Sequence, residues 1–86
     1  MLYEFYGDEC PHCQKMLKLT DKLMKDFSDI KIQRKEVWHN KENMDLIKKF
    51  DKDDACGGVP FFYNEDTKQW LCGEVSYEDL KSWAGK

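Results

Sequence analysis

The stretch GDECPHCQKM places two cysteines, Cys10 and Cys13, where an apolar segment gives way to a helix. The preceding segment, Leu2–Tyr6, is apolar and aromatic, which is typical of a strand, and a glycine and two acidic residues end it. Pro11 suits the first position of a helix, where a missing N–H leaves no bond unmade. Apolar residues then recur at helical spacing. The cysteine pair therefore lies at the junction of a strand and a helix, which constrains the fold more than any other stretch.

The rest of the chain predicts three further strands and two further helices. Asn40 and Ser76 suit helix caps, and the polar, glycine-rich segment 51–58 predicts a loop. We predict strands at Leu2–Tyr6, Ile30–Val37, Val59–Tyr63 and Gln69–Cys72, and helices from Pro11 to Ser28 or Asp29, from Asn40 to Phe50 and after Ser76. A strand, helix, strand unit implies a parallel pair, and the later hairpin adds antiparallel strands. The expected fold is α/β, in the order βαβ-α-ββα, with a four-stranded mixed sheet flanked by helices and residues 1–86 in a single domain.

The charge pattern argues against two classes of partner. The 14 basic and 17 acidic residues are mixed along the chain and give a net charge of -3, which disfavours nucleic acid or an anionic membrane as the main partner. No apolar run approaches the roughly 20 residues that span a bilayer, and the N-terminus has no signal-peptide layout. We therefore expect a cytoplasmic monomer.

The four cysteines are compatible with several roles. Cys10, Cys13, Cys56 and Cys72 could form two structural disulfides in a secreted protein, whereas in a reducing cytosol catalysis or metal binding gains weight. In the metal reading, Cys10 and Cys13 join the other two cysteines or a histidine around zinc or an iron–sulfur cluster. Its weakness is spacing, because Cys56 and Cys72 do not form a second CxxC. For the redox reading we expect no cofactor and no metal.

The helix start distinguishes the two cysteines of the motif. Cys10 would occupy the cap position, where the helix dipole and unpaired amides favour a thiolate, and Cys13 would lie one turn inside. Cys10 is therefore the candidate nucleophile, and Cys13 is the candidate resolving cysteine that releases a mixed disulfide.

With these elements the sequence resembles the thioredoxin superfamily in its small glutaredoxin-type form. The motif dipeptide, Pro11 and His12, is the one found in DsbA-type oxidoreductases, and Val59 and Pro60 match the cis-proline loop that faces the CxxC motif in this fold. The resemblance implies a thiol–disulfide oxidoreductase whose Gly58–Pro60 segment binds substrate.

The resemblance also suggests roles for two polar residues. An acidic residue commonly lies six positions before the first cysteine in this superfamily, and Glu4 has that position, which implies a buried proton acceptor for Cys13. The alternative is a strand-end glutamate that reaches solvent. His12 would add a hydrogen-bond donor and partial positive charge near Cys10, or it would be an exposed helix-start residue.

The partner class follows from departures from the glutaredoxin pattern. Glutaredoxins usually carry a basic residue ahead of the motif, whereas this chain has Asp8 and Glu9, and only Gly73 stands where a Gly-Gly pair is usual. A protein disulfide or dithiol is therefore the expected substrate. Glutathione, or a donor of the thioredoxin-reductase type, is the second candidate. We expect Cys56 and Cys72 not to be required for turnover, with Cys72 buried and inert and Cys56 either inert or coupled to the redox site.

Overall fold

The computed structural model describes all 86 residues and contains seven elements in the predicted order. Its strands are β1 (Leu2–Tyr6), β2 (Ile32–Glu36), β3 (Phe61–Asn64) and β4 (Trp70–Cys72), and its helices are α1 (Pro11–Asp26), α2 (Lys41–Phe50) and α3 (Tyr77–Trp83). They form one sheet in the order β2-β1-β3-β4, in which β1 and β2 are parallel and the other pairs antiparallel. The predicted α/β fold class is confirmed. No helix combines the length and the apolar character needed to cross a membrane.

Three element boundaries differ from the prediction by two residues or more, and others differ by one. Helix α1 ends at Asp26 because Phe27 is extended, with φ of -130°, and caps the helix through a bond from its N–H to the carbonyl of Leu23. Strand β2 starts two residues late because the N–H of Ile30 donates to the carbonyl of Phe27 in a turn. Strand β3 starts after Pro60, whose nitrogen has no hydrogen to donate to a strand ladder.

Side-chain caps begin all three helices. Cys10, Asn40 and Ser76 each accept the backbone N–H three residues ahead, at 3.1–3.2 Å. A side chain that accepts one of the otherwise unpaired N–H groups of the first turn stabilises the helix by about 1 kcal/mol. The predicted caps at Asn40 and Ser76 are therefore present, and the third cap is a cysteine of the CPHC motif.

The sheet separates two apolar cores. Helices α1 and α3 pack on one face around a cluster of buried residues, Met16, Leu23, Ile30, Phe62, Leu80 and Trp83. Helix α2 covers the other face, where the buried residues are Phe5, Val37, Ile47 and Phe61. Strand β1 is hydrogen-bonded on both sides, so it is central in the sheet. Because side chains alternate along a strand, Glu4 faces α1 while its neighbour Phe5 faces α2.

Candidate active site

The two cysteines of the motif are free thiols at the start of α1. Cys10 Sγ accepts the N–H of Cys13 at 3.2 Å, and the N–H of Cys10 donates to the carbonyl of Gly7 at 3.1 Å. Cys10 is 5% exposed and Cys13 is fully buried. The sulfur of Cys10 therefore lies at the positive end of the helix dipole, with a backbone amide directed at it and a narrow opening to solvent.

Cys13 is held in its protonated form. Burial, followed by the hydrogen bond with Cys10, raises the pKa of the Cys13 thiol to about 12. A thiol with that pKa is a poor nucleophile at neutral pH, because the thiolate is the attacking species. Cys13 can attack only if a proton acceptor or a change in its surroundings removes its proton.

Glu4 lies in the interior, below the helix that carries both cysteines. Its side chain is fully buried, so the alternative of a glutamate that reaches solvent is wrong. Its Oε1 accepts from the hydroxyl of Thr20 at 2.7 Å, while Oε2 is buried and has no hydrogen-bond partner. Burial raises the pKa of the Glu4 carboxyl, although the bond with Thr20 opposes that rise. A carboxyl group in this setting exchanges a proton closer to neutral pH than an exposed glutamate does.

Glu4 is not hydrogen-bonded to Cys13. Thr20 lies seven residues after Cys13 on the same buried side of α1, which is about 10 Å along the helix axis. The negative charge of Glu4 nevertheless contributes to the raised pKa of the Cys13 thiol. Proton exchange between the two groups therefore needs a water or a rotation of the Glu4 side chain.

Arg34 is a residue of this network that sequence reasoning missed. It lies opposite Glu4 in the parallel β1–β2 register, and its Nε donates to Glu4 Oε1 at 3.2 Å. Its Nη2 donates to the hydroxyl of Thr20 and to the carboxylate of Asp21, each at 2.8 Å, and to the carbonyl of Leu17 at 2.9 Å. The Arg34 side chain is 30% exposed. It therefore links the buried carboxylate to an exposed one, Asp21, at the surface of α1.

His12 has a partner that the sequence did not indicate. Its Nδ1 lies 3.2 Å from Oε1 of Glu74, and Lys15 lies 3.5 Å from the same oxygen. The hydrogen bond with His12 holds the pKa of Glu74 below its usual value. His12 is itself 68% exposed. The segment after β4 is thus attached to the first turns of α1 through two side chains of the helix.

The acidic residues ahead of the motif are paired with groups from the end of β2 and the segment that follows it. Glu9 accepts from Nε2 of His39 at 2.7 Å, and this bond raises the pKa of His39. The N–H of Asp8 donates to the carboxylate of Glu36 at 3.0 Å. Asp8, Glu9 and His39 are all exposed, and the His39–Glu9 pair accounts for their proximity.

The predicted substrate segment lines a groove between α2 and the loop that precedes β3. The Val59–Pro60 peptide bond is cis, as predicted. Neither the N–H nor the carbonyl of Val59 has a backbone hydrogen-bond partner. Val59 lines a groove of about 280 Å³ together with Gly58 and Trp38.

Trp38 forms one wall of that groove. The ring covers Gly7, where a Cβ would lie 2.3 Å from it. Trp38 is 47% exposed and Trp70 is 45% exposed, so of the three tryptophans only Trp83 is buried. No sequence signal distinguished Trp38 from the core aromatics.

The expectation that Cys72 is buried and inert is wrong. Cys72 is exposed and forms a disulfide with Cys56, with a Cα–Cα distance of 5.5 Å. Spacing along the chain cannot reveal such a pairing. The pairing also leaves neither cysteine free as a metal ligand, so the zinc or iron–sulfur alternative is not favoured.

Comparison with known proteins finds a similar solved structure, a glutaredoxin from Archaeoglobus fulgidus. The TM-score is 0.68, the sequence identity is 18%, and the match covers 95% of this chain and 83% of that chain. No protein-family model and no curated protein matches the sequence. At this identity the similarity concerns the fold, and the chain has the glutaredoxin-like form of the thioredoxin-superfamily fold.

Proposed function

We propose that the protein is a thiol–disulfide oxidoreductase that cycles Cys10 and Cys13 between dithiol and disulfide. The observation that carries the proposal is the sulfur of Cys10 at the cap of α1, which accepts the N–H of a second, fully buried cysteine. The same bond directs a backbone N–H at the sulfur of Cys10, whereas burial raises the pKa of the Cys13 thiol to about 12. This asymmetry is what a nucleophile and a resolving cysteine require.

The reaction has two exchange steps. The Cys10 thiolate attacks one sulfur of a substrate disulfide, forms a mixed disulfide and releases the other substrate sulfur as a thiolate. Cys13 then loses its proton and attacks Cys10, which breaks the mixed disulfide and releases the second substrate thiol. The substrate gains two electrons and two protons, and the Cys10–Cys13 pair loses them. The reverse sequence oxidises a substrate dithiol.

Glu4 is the proposed proton acceptor for the second step. Its pKa is raised by burial, and its unpartnered Oε2 can accept a proton, directly after a side-chain rotation or through a water. Arg34 positions the carboxylate through Oε1. Pro11 sets the start of the helix, and His12, held by Glu74, is a candidate for tuning the redox potential of the pair.

A protein disulfide or dithiol is the proposed substrate. The free N–H and carbonyl of Val59 can pair with an extended peptide, in the manner of strand addition. Glutathione remains the second candidate because the structural neighbour is named a glutaredoxin. A cytoplasmic location stays a prediction, and the Cys56–Cys72 disulfide weighs against it because such bonds are rare in a reducing cytosol.

Trapping a mixed disulfide tests the proposal. A Cys13→Ser variant incubated with oxidised insulin should accumulate a covalent adduct through Cys10, identified by mass spectrometry, and the matched Cys10→Ser variant should not. Wild-type protein should accelerate insulin reduction by dithiothreitol, and a parallel assay with glutathione as reductant would separate the two substrate classes. Catalysis that survives in Cys10→Ser would contradict the assignment. Metal in the purified protein, detected by elemental analysis and ultraviolet–visible absorption, would instead support the metal reading.

A further inference from the structure

The Cys56–Cys72 disulfide joins the loop that leads into the proposed substrate segment to the end of β4. Cys56 lies in the loop that leads into Pro60, and its Sγ is 3.4 Å from the carbonyl oxygen of Gly58 and 4.0 Å from that of Pro60. Cys72 is the last residue of β4 and lies opposite Phe61. The bridge therefore lies against the backbone of the proposed substrate segment.

The loop that contains Cys56 has few other attachments. The carboxylate of Asp51 accepts the N–H groups of Ala55, Cys56 and Gly57 at 2.9–3.1 Å. These bonds shape the loop, but Asp51 itself lies at the start of the loop and does not tie it to the sheet. Most residues of the loop are exposed, namely Lys52, Asp53, Asp54, Ala55, Gly57 and Gly58. The disulfide is consequently the covalent attachment of this loop to β4.

The other end of the bridge is continuous with contacts to the CPHC motif. The N–H of Gly73, next to Cys72, donates to the carbonyl of Pro60 at 2.8 Å. One residue further, Glu74 is paired with His12. Three consecutive residues of one short segment therefore contact the loop, the substrate segment and the catalytic helix.

We propose that the Cys56–Cys72 disulfide is a positioning element for thiol exchange at Cys10. It holds the Gly58–Pro60 backbone at the spacing from Cys10 that a bound peptide requires, and it does not take part in the exchange. This inference rests on the proposed function. A dithiol that reduces the bridge to two thiols, and is itself oxidised to a disulfide, releases the loop and weakens substrate binding without altering the chemistry of Cys10.

The test compares wild-type protein with a Cys56→Ser/Cys72→Ser variant in the oxidising direction. Both proteins carry a Cys10–Cys13 disulfide and react once with a synthetic peptide dithiol, without added reductant, so the wild-type bridge stays intact. We expect the peptide concentration for half-maximal rate to rise about fivefold in the variant, the effect of weakening one backbone hydrogen bond to the peptide. The maximal rate should remain within about twofold, because Cys10 and its helix cap are untouched.

Alkylation by iodoacetamide measures the reactivity of Cys10 without requiring a peptide to bind in the groove. The rate of alkylation at Cys10 should be the same in wild-type protein that is reduced only at Cys10 and Cys13, with the Cys56–Cys72 bridge intact, and in the variant with Cys10 and Cys13 reduced. If the double serine variant is unfolded by circular dichroism, a Cys56→Ala/Cys72→Val variant takes its place, because apolar side chains can pack where the half-buried bridge lay. A bridge that serves only stability would leave the half-maximal concentration unchanged in a folded variant, and that result overturns the inference alone. Failure of wild-type protein to oxidise the peptide overturns the proposed function, and the inference with it.

Discussion

Replacing Arg34 with methionine would remove the cation that contacts the buried carboxylate of Glu4. Methionine retains the apolar stem of the arginine, so the change tests the guanidinium rather than its packing. Asp21 and Thr20 can turn to solvent or to the helix backbone, whereas Glu4 cannot, because it is fully buried. Any loss of stability in Arg34→Met should therefore come mainly from Glu4.

The size of the effect can be worked from the geometry. Two unit charges about 4 Å apart attract by roughly 4 kcal/mol at an effective dielectric constant of about 20. Arg34 Nε lies 3.2 Å from Glu4 Oε1, but its side chain is 30% exposed, so solvent screens part of the attraction. The raised pKa of Glu4 means that the lost attraction is partly avoided by protonation. We therefore expect Arg34→Met to lower the free energy of unfolding by about 2 kcal/mol at neutral pH.

A double-mutant cycle isolates the pair. Urea unfolding would be measured for wild type, Arg34→Met, Glu4→Gln and the double variant, and the coupling should be about 2 kcal/mol at neutral pH. This coupling energy should decrease as the pH falls and Glu4 becomes protonated. A coupling below about 0.5 kcal/mol, or one that does not change with pH, would refute the view that Arg34 stabilises a buried charge.

Three further predictions concern stability. Burial raises the pKa of Glu4 above its ordinary value of 4.5, so the folded state binds the proton more tightly than the unfolded state does. The free energy of unfolding should therefore fall as the pH rises from 4.5 through the native pKa. Urea titrations at several pH values should show this slope in wild type and not in Glu4→Gln. The bridge between Cys56 and Cys72 spans 16 residues of sequence, so replacing both cysteines with serine should reduce the free energy of unfolding by about 3 kcal/mol. A loss below about 1 kcal/mol would mean that the bridge does not act mainly by restricting the unfolded chain. Gly7→Ala should displace the Trp38 ring and destabilise the protein by about 1–3 kcal/mol, seen as altered tryptophan fluorescence, and a Trp38→Ala background should abolish most of that cost.

Local signals explain why the fold could be predicted from the sequence. Pro11, the caps at Asn40 and Ser76, and the alternation of apolar segments each specify an element from neighbouring residues, and the element order then allows few topologies. The burial of Glu4 followed from the central position of its strand, which the crossover and the hairpin together imply. These inferences needed no distance between residues far apart in the chain.

The unpredicted parts of the site depend on such distances. Arg34 reaches Glu4 only in one register of the parallel pair, and a polar strand with little alternation does not reveal that register. Glu74 meets His12 because the turn after β4 brings them together, although 62 positions separate them in the sequence. The pairing of Cys56 with Cys72 likewise depends on how a loop returns to β4.

The strand order also bears on self-association. The two outer strands of the sheet, β2 and β4, present unpaired backbone groups that could recruit the edge of another molecule. Four of the five residues of β2 are polar or charged, and β4 is only three residues long. Charged and very short edge strands are common protections against edge-to-edge pairing. We therefore expect light scattering to give the mass of one chain, since neither margin of the sheet offers a long apolar template for a second copy.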